Sequence, residues 1–293
     1  MSLACIAAPF AVVWQRQHMY DWWRLHNYVA SADIAKLATD TSMTDKARNI
    51  FYVNRPQLYK KQDFRQQCVK NEQTIVLGCF KSNEGIYIYN VNDARLAGII
   101  EVTAAHEFLH AAYDRLSTKE RSRVDALTAE AYKNLKDERI KRNVESYRSG
   151  DATVVPNELH SILGTEVAQL PAELETYYKT YFSNRPKIVA YSQKYEKEFS
   201  TREATLAAYD KQIDTLKNEI DAANASLKNR ADAIDAESSR LDSLRNQNRI
   251  EEYNAGIPGY KYMVDSYNRD LSALKAKITK YKNLIDVDRK SVV

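Results

Sequence analysis

Residues 94–116, ARLAGIIEVTAAHEFLHAAYDRL, carry the reading on which the fold turns. Apart from Gly98 the stretch holds no glycine or proline, and Ile99, Val102, Ala105, Leu109 and Ala112 recur at helical spacing. A helix over Ala94–Leu116 is therefore expected. Within it lies His106-Glu107-Phe108-Leu109-His110, an HExxH arrangement. Positions i and i+4 share a helical face, so the two imidazoles project toward one point, as a Zn2+ ion with nitrogen ligands requires. Glu107 sits about 100° round the helix, where it can act on a water without binding metal. Zinc brings the pKa of such a water toward neutrality, and a carboxylate general base takes its proton. Chance alone yields this motif in on the order of one chain in a hundred with this many histidines. Alanines 104, 105, 111 and 112 flank the histidines and let the helix be buried. The competing reading is a buried helix with two hydrogen-bonded histidines.

Working outward, Asn49–Asn54 (NIFYVN) and Thr74–Phe80 (TIVLGCF) are rich in β-branched and aromatic residues and read as strands. Gly85–Val91 (GIYIYNV) follows the turn-like KSNEG, so it is expected to pair with the preceding run. Ser117-Thr-Lys-Glu120 reads as a capping box opening a helix that continues to about Ser146. Pro156-Asn157 starts another to about Gln169, and Pro171 a further one to about Phe182.

A catalytic zinc site takes three protein ligands. The candidates lie in residues 155–166, VPNELHSILGTE, which hold Glu158, His160 and Glu166. HEFLHAAYD followed by NELHSILG resembles the zinc-binding helices of thermolysin-like peptidases, the gluzincin group of the zincins. The resemblance covers two short helices. It implies a zinc metallopeptidase acting on a protein or peptide substrate, with His106, His110 and Glu158 as ligands, Glu107 as general base and Asp114 as the acidic residue after the motif. It departs from the family pattern at Ile162, where an outer Asp is expected, so Asp114 and Glu166 are the candidate partners of an imidazole, and Glu166 or His160 is an alternative third ligand. His160, Tyr113, Tyr177 and Tyr178 are candidate donors to a tetrahedral intermediate. Gly85–Val91 is expected as an edge strand that binds an extended peptide by strand addition.

Beyond Pro186 the chain becomes polar and helix-favouring. Leu206, Ile213, Ile220, Leu227, Ile234 and Leu241 repeat every seven residues, and a second seam runs through Tyr209, Leu216, Ala223, Arg230, Glu237 and Leu244. After Ala255-Gly-Ile-Pro-Gly259, read as a helix breaker, Tyr260, Val264, Tyr267, Leu271, Leu274, Ile278, Tyr281 and Ile285 resume the pattern. The expected fold class is thus α+β: a small, mostly helical zincin-like domain with a short sheet over 27–185, then an antiparallel coiled-coil hairpin over 186–293. Such an arm offers self-association or a partner helix. A non-catalytic envelope interaction or scaffold protein, working through that arm, is the alternative function.

Composition sets outer bounds. The net charge of +4 lacks any basic stripe, and acidic residues alternate with basic ones in the arm, which argues against nucleic acid. Cys68 and Cys79 are spaced to close a small loop, a disulfide in an oxidising compartment or two thiols in a cytosol. Residues 1–26 form an apolar N-terminal segment or anchor remnant: Leu3–Trp14 is uncharged but twelve residues long, short of the roughly 17–25 of a membrane span. Tyr20, Trp22 and Trp23, aromatics of the kind found at membrane interfaces, follow. Membrane association and an extracytoplasmic place, in the cell envelope or secreted, are the resulting expectations.

Overall fold

The computed structural model describes residues 17–68 and 76–291, so the uncharged run before Gln17 and the start of the expected strand at Thr74 lie outside the described residues. The chain divides into two compact units, Met1–Glu198 and Phe199–Val293. It is mostly helical, with one small sheet.

In the first unit, α1 (residues 17–25) leads to α2 (Ala32–Asp40) and α3 (Asp45–Val53). The NIFYVN run, expected as a strand, is the second half of α3. The Thr44 side chain caps that helix by accepting from the Ala47 amide, and the helical period then buries Ala47 and Phe51 on one side. A six-residue apolar run carries too little periodicity to choose between strand and helix; the cap decides. The sheet comprises β1 (Gln57–Tyr59), β2 (Gly78–Lys81) and β3 (Gly85–Tyr89), with α4 (Lys61–Cys68) between the first two. β2 and β3 are antiparallel neighbours, and β1 adds to β3 in parallel. The order β1-β3-β2 puts β3 in the centre, not at an edge as expected. The three-residue β1 follows the left-handed turn at Arg55 and gave no strand pattern of its own in the sequence. Cys68 and Cys79 form a disulfide linking the end of α4 to β2.

The central helix, α5 (Ile99–Asp114), begins later than expected because Gly98 takes φ 104°, which no helical residue does. It is buried nearly throughout: Ala104, Ala105, Phe108, Leu109, Ala111 and Ala112 are all at most 1% exposed. Helix α6 (Thr118–Lys133) opens with the reciprocal Ser117–Glu120 capping box. It does not run to Ser146. Asp137 accepts from the amides of Arg139 and Ile140, and so caps a separate helix, α7 (Glu138–Asp151). Then come α8 (Val155–Glu166) and α9 (Ala172–Tyr178).

Two features hold α8 in place. A Cβ on Gly164 would lie 2.5 Å from Leu109 Cδ1 and 2.8 Å from Tyr178 Cε1, so the bare glycine lets α8 approach α5 closely. Beyond its C-terminus, Arg185, 2% exposed, donates to the carbonyls of Leu163, Val167 and Ala168 and pairs with the Glu175 carboxylate. One guanidinium thereby satisfies the open carbonyls of a buried helix end.

The last two helices are α10 (Arg185–Asn246) and α11 (Ile250–Ser291). In the second unit they run antiparallel: Glu219 pairs with Lys277, Arg230 with Asp270 and Ser266, and Leu241 packs at Gly256. Arg230, a charged break in the second apolar seam, is thus met by an acid. The expected breaker is not the turn. Residues 255–259 lie inside α11, and the chain reverses at residues 247–249, with Asn248 at φ 57°. Pro258 is exposed, so water can solvate the carbonyl its missing N–H leaves open. Gly256 serves packing instead, since a Cβ there would lie 2.6 Å from Leu241 Cδ2. No helix among the described residues is long and apolar enough to cross a membrane.

Replacing Gly164 by Val forces branched methyls into the α5–α8 contact. The variant should unfold with a stability loss of about 3 kcal/mol in urea titration. An unchanged midpoint would show that the two helices have room to part.

Candidate metal centre

The α5–α8 contact brings together residues 48 positions apart. One ligand atom each of His106, His110 and Glu158 lies within 4.8 Å of the others. His106 Nε2 stands 3.5 Å from Glu158 Oε2, and His110 Nε2 3.6 Å from Glu158 Oε1. Both spacings are long for a charge-assisted hydrogen bond. They agree with two atoms each about 2.0–2.2 Å from one tetrahedral cation, which lie about 3.3–3.6 Å apart. Glu158 Oε2 is buried and makes no hydrogen bond shorter than its 3.5 Å approach to His106 Nε2, so the charge of this carboxylate depends on a positive neighbour, a protonated imidazole or a cation. The cluster can therefore hold a metal ion.

The surroundings orient the cluster. Asn157 Oδ1, which can only accept, lies 3.0 Å from His110 Nδ1, so that nitrogen carries the proton and Nε2 turns its lone pair toward Glu158. Ser161 Oγ stands 3.3 Å from the same Nδ1. The outer partner of His110 is thus Asn157, the residue before Glu158, not Asp114 or Glu166. Asp114 is exposed, and Ile162 is buried in the core at 1%.

Burial disfavours charge on all three groups, yet the directions diverge. For His106 the carboxylates of Glu158, Glu107 and Glu166 outweigh burial and lift the imidazole to about 9. For His110, burial and the neighbouring His106 charge push it down to about 4. Burial opposes the Glu158 charge, but the two imidazoles and the Tyr147 hydroxyl hold its carboxyl below the ordinary value.

A cleft of about 390 Å³ opens onto this cluster, lined by β2, by Glu107 and by Asn143, Tyr147 and Tyr195 among others. Glu107 is 6% exposed, and its Oε1 lies 2.7 Å from where a Gly78 Cβ would stand, so β2 presses directly on this carboxylate. Glu166 also reaches the cleft but is engaged by Arg139 at 2.8 Å, and it is not drawn into the histidine cluster. His160 is fully buried on the far side of α8, its Nε2 2.8 Å from Tyr177 Oη, while its carbonyl accepts from the Tyr178 hydroxyl. Burial and the two other histidines push it down to about 3, so it stays neutral. Tyr113 donates to Asp125. His160, Tyr113, Tyr177 and Tyr178 are therefore packing residues absent from the cleft lining, and the tyrosines that line it are Tyr147 and Tyr195. Sequence spacing gave no signal for these two, since α7 and α10 reach the cleft only through tertiary packing. Asn157 was signalled only by standing next to Glu158.

The chain matches no family model, no curated protein and no solved structure.

Metal needs a lone pair on both imidazoles, so at pH 7 binding must expel the proton that His106 holds. Affinity should rise about tenfold per pH unit from pH 6 toward 9 and level off above that. Co2+ titration of the metal-free protein at several pH values, followed by visible absorption, checks the slope; a flat profile would show that no proton is displaced.

Proposed function

We propose that the chain is a zinc-dependent metallopeptidase of zincin-like architecture, with His106, His110 and Glu158 as metal ligands and Glu107 as general base. The observation that carries the reading is the convergence of His106, His110 and Glu158 in a cleft whose wall also contains Glu107. Two imidazoles and one carboxylate suit zinc and match the ligand set of a catalytic rather than a structural site. Bound zinc supplies a water of near-neutral pKa and polarises the scissile carbonyl. Glu107, held against Gly78, takes the proton of the attacking water and delivers it to the departing amine. Tyr147 and Tyr195 also line this cleft, the Tyr147 hydroxyl engaged with the Glu158 carboxylate.

Substrate binding by strand addition moves from β3 to β2. β3 is paired on both sides, whereas among the described residues β2 has a neighbour in the sheet only on its β3 side, and it lines the cleft. An extended peptide laid along the outer edge of β2 would run beside Glu107 and the ligands. The Cys68–Cys79 disulfide supports an oxidising, extracytoplasmic setting. The paired helices of the second unit, with their heptad seams, serve as a coiled-coil arm for self-association or for a partner helix.

Purified protein should carry about one zinc per chain, lost on His106→Ala. Glu107→Gln should keep the zinc and lower cleavage of an unfolded protein by about a hundredfold or more. Wild-type protein that neither holds zinc nor cleaves such a substrate would sink the reading. Gly78→Ala, which displaces the Glu107 carboxylate, should lower kcat by about tenfold or more with zinc retained; wild-type kcat would mean the carboxylate does not depend on that contact.

A further inference from the structure

Helix α1 is amphipathic in the inverse sense. The side facing the protein is polar and ionic. Arg24, 9% exposed, donates from Nε to the Val53 carbonyl at 2.9 Å and from Nη2 to the Glu84 carbonyl at 2.8 Å. Asp21 accepts two bonds from Arg115, both at 2.8 Å, and a third from Gln17. The opposite side carries Met19, Trp22 and Trp23, which are 68%, 64% and 63% exposed and border an open cavity of about 860 Å³ whose other wall includes Phe80, Asn83, Ala111 and Arg115. With His26 they fall at i, i+3, i+4 and i+7, a single helical stripe. Trp22 rests on the His26 ring, and Trp23 on Tyr20 and Arg55, yet most of both indoles remains uncovered. Val29, just beyond, is 90% exposed, so four of the seven large exposed hydrophobics among the described residues lie within eleven positions.

A helix that only packed on its own domain would turn this stripe inward. Here the ionic tethers hold it out. We infer that the outward stripe Met19-Trp22-Trp23, with Val29, seats in the interfacial layer of a lipid bilayer, α1 lying along the membrane surface. Two observations favour lipid over another occupant. Indole is the side chain suited to the headgroup boundary, with an apolar body and one polar N–H. The sequence also carries twelve uncharged, mostly apolar residues, Leu3–Trp14, two positions before α1. The Asp21–Arg115 pair joins α1 to the residue after α5, so the attached surface is tied to the helix that bears His106 and His110. The inference stands independently of the peptidase reading.

All three tryptophans are Trp14, Trp22 and Trp23, so intrinsic tryptophan fluorescence reports on this region alone. Full-length protein is mixed with vesicles of phosphatidylcholine and phosphatidylglycerol at 3:1 and with vesicles of phosphatidylcholine alone. The expected result is cosedimentation with a blue shift, and quenching by lipids brominated near the headgroup. A Trp22→Ser/Trp23→Ser double variant, altered only at exposed positions, should keep its unfolding midpoint and partition about tenfold less or weaker still. Absence of vesicle binding overturns the proposal, as does wild-type partitioning by the folded double variant. So does lipid-free self-association in sedimentation velocity that the double variant abolishes, which would make the stripe a contact between copies. Emission already blue-shifted in buffer and unmoved by vesicles would equally overturn it, since the stripe would then be covered within the chain.

Discussion

The close approach of α8 to α5 is the constraint on which the rest of the first unit depends. Gly164 removes the side chain that would collide with Leu109 and Tyr178, and the small residues Ala104, Ala105, Ala111 and Ala112 make α5 narrow enough to be enclosed. Close-packed interiors transmit such a fit over a helical turn or two. Gly164 lies six residues beyond Glu158, and Leu109 lies beside His110, so the contact that seats the apolar faces also sets the distance from carboxylate to imidazoles. Arg185 secures the same C-terminal end of that helix by taking up the Leu163, Val167 and Ala168 carbonyls.

Around that packed core the charges are sorted rather than simply collected. Three carboxylates line the cleft, and each has a distinct engagement. Glu158 faces both imidazoles, Glu107 lies against β2, and Glu166 is held by Arg139, which also reaches Glu196. Compensating Glu166 with a guanidinium leaves Glu158 as the carboxylate that the histidines meet. The low dielectric strengthens every one of these attractions and ties the Glu158 charge to the imidazoles it faces. His160, two residues from Glu158, is taken out of the chemistry by rotation alone: two positions along a helix turn a side chain by about 200°, into the tyrosine cluster.

Local chemistry misled in places where a residue had two physical uses. Glycine and proline at 255–259 read as a break, because proline lacks a donor and glycine costs helix stability. On an exposed helical surface the proline's cost is met by solvent, while Gly256 admits Leu241, so the reversal falls instead at Asn248, which adopts a positive φ. NIFYVN and GIYIYNV look alike in composition, yet the first follows a Thr cap and becomes helix, while the second follows a turn and becomes the central strand. Propensity did not separate them; the neighbouring cap and the pairing partners did.

By itself the sequence determined the items governed by short-range geometry: the helix bearing His106, Glu107 and His110, the capping box at Ser117, the β2–β3 hairpin and the heptad seams of the two long helices. Each follows from periodicity or hydrogen bonding within a few residues of chain. Only the tertiary structure showed that Glu158, and not Glu166 or His160, faces the two histidines, gave His110 its hydrogen bond to Asn157, put β3 in the centre of the sheet and left Trp22 and Trp23 exposed. Those outcomes depend on which surfaces meet across tens of residues, and on which buried charges find partners there. Such distances are set by packing, and packing is not written in the spacing of any one segment.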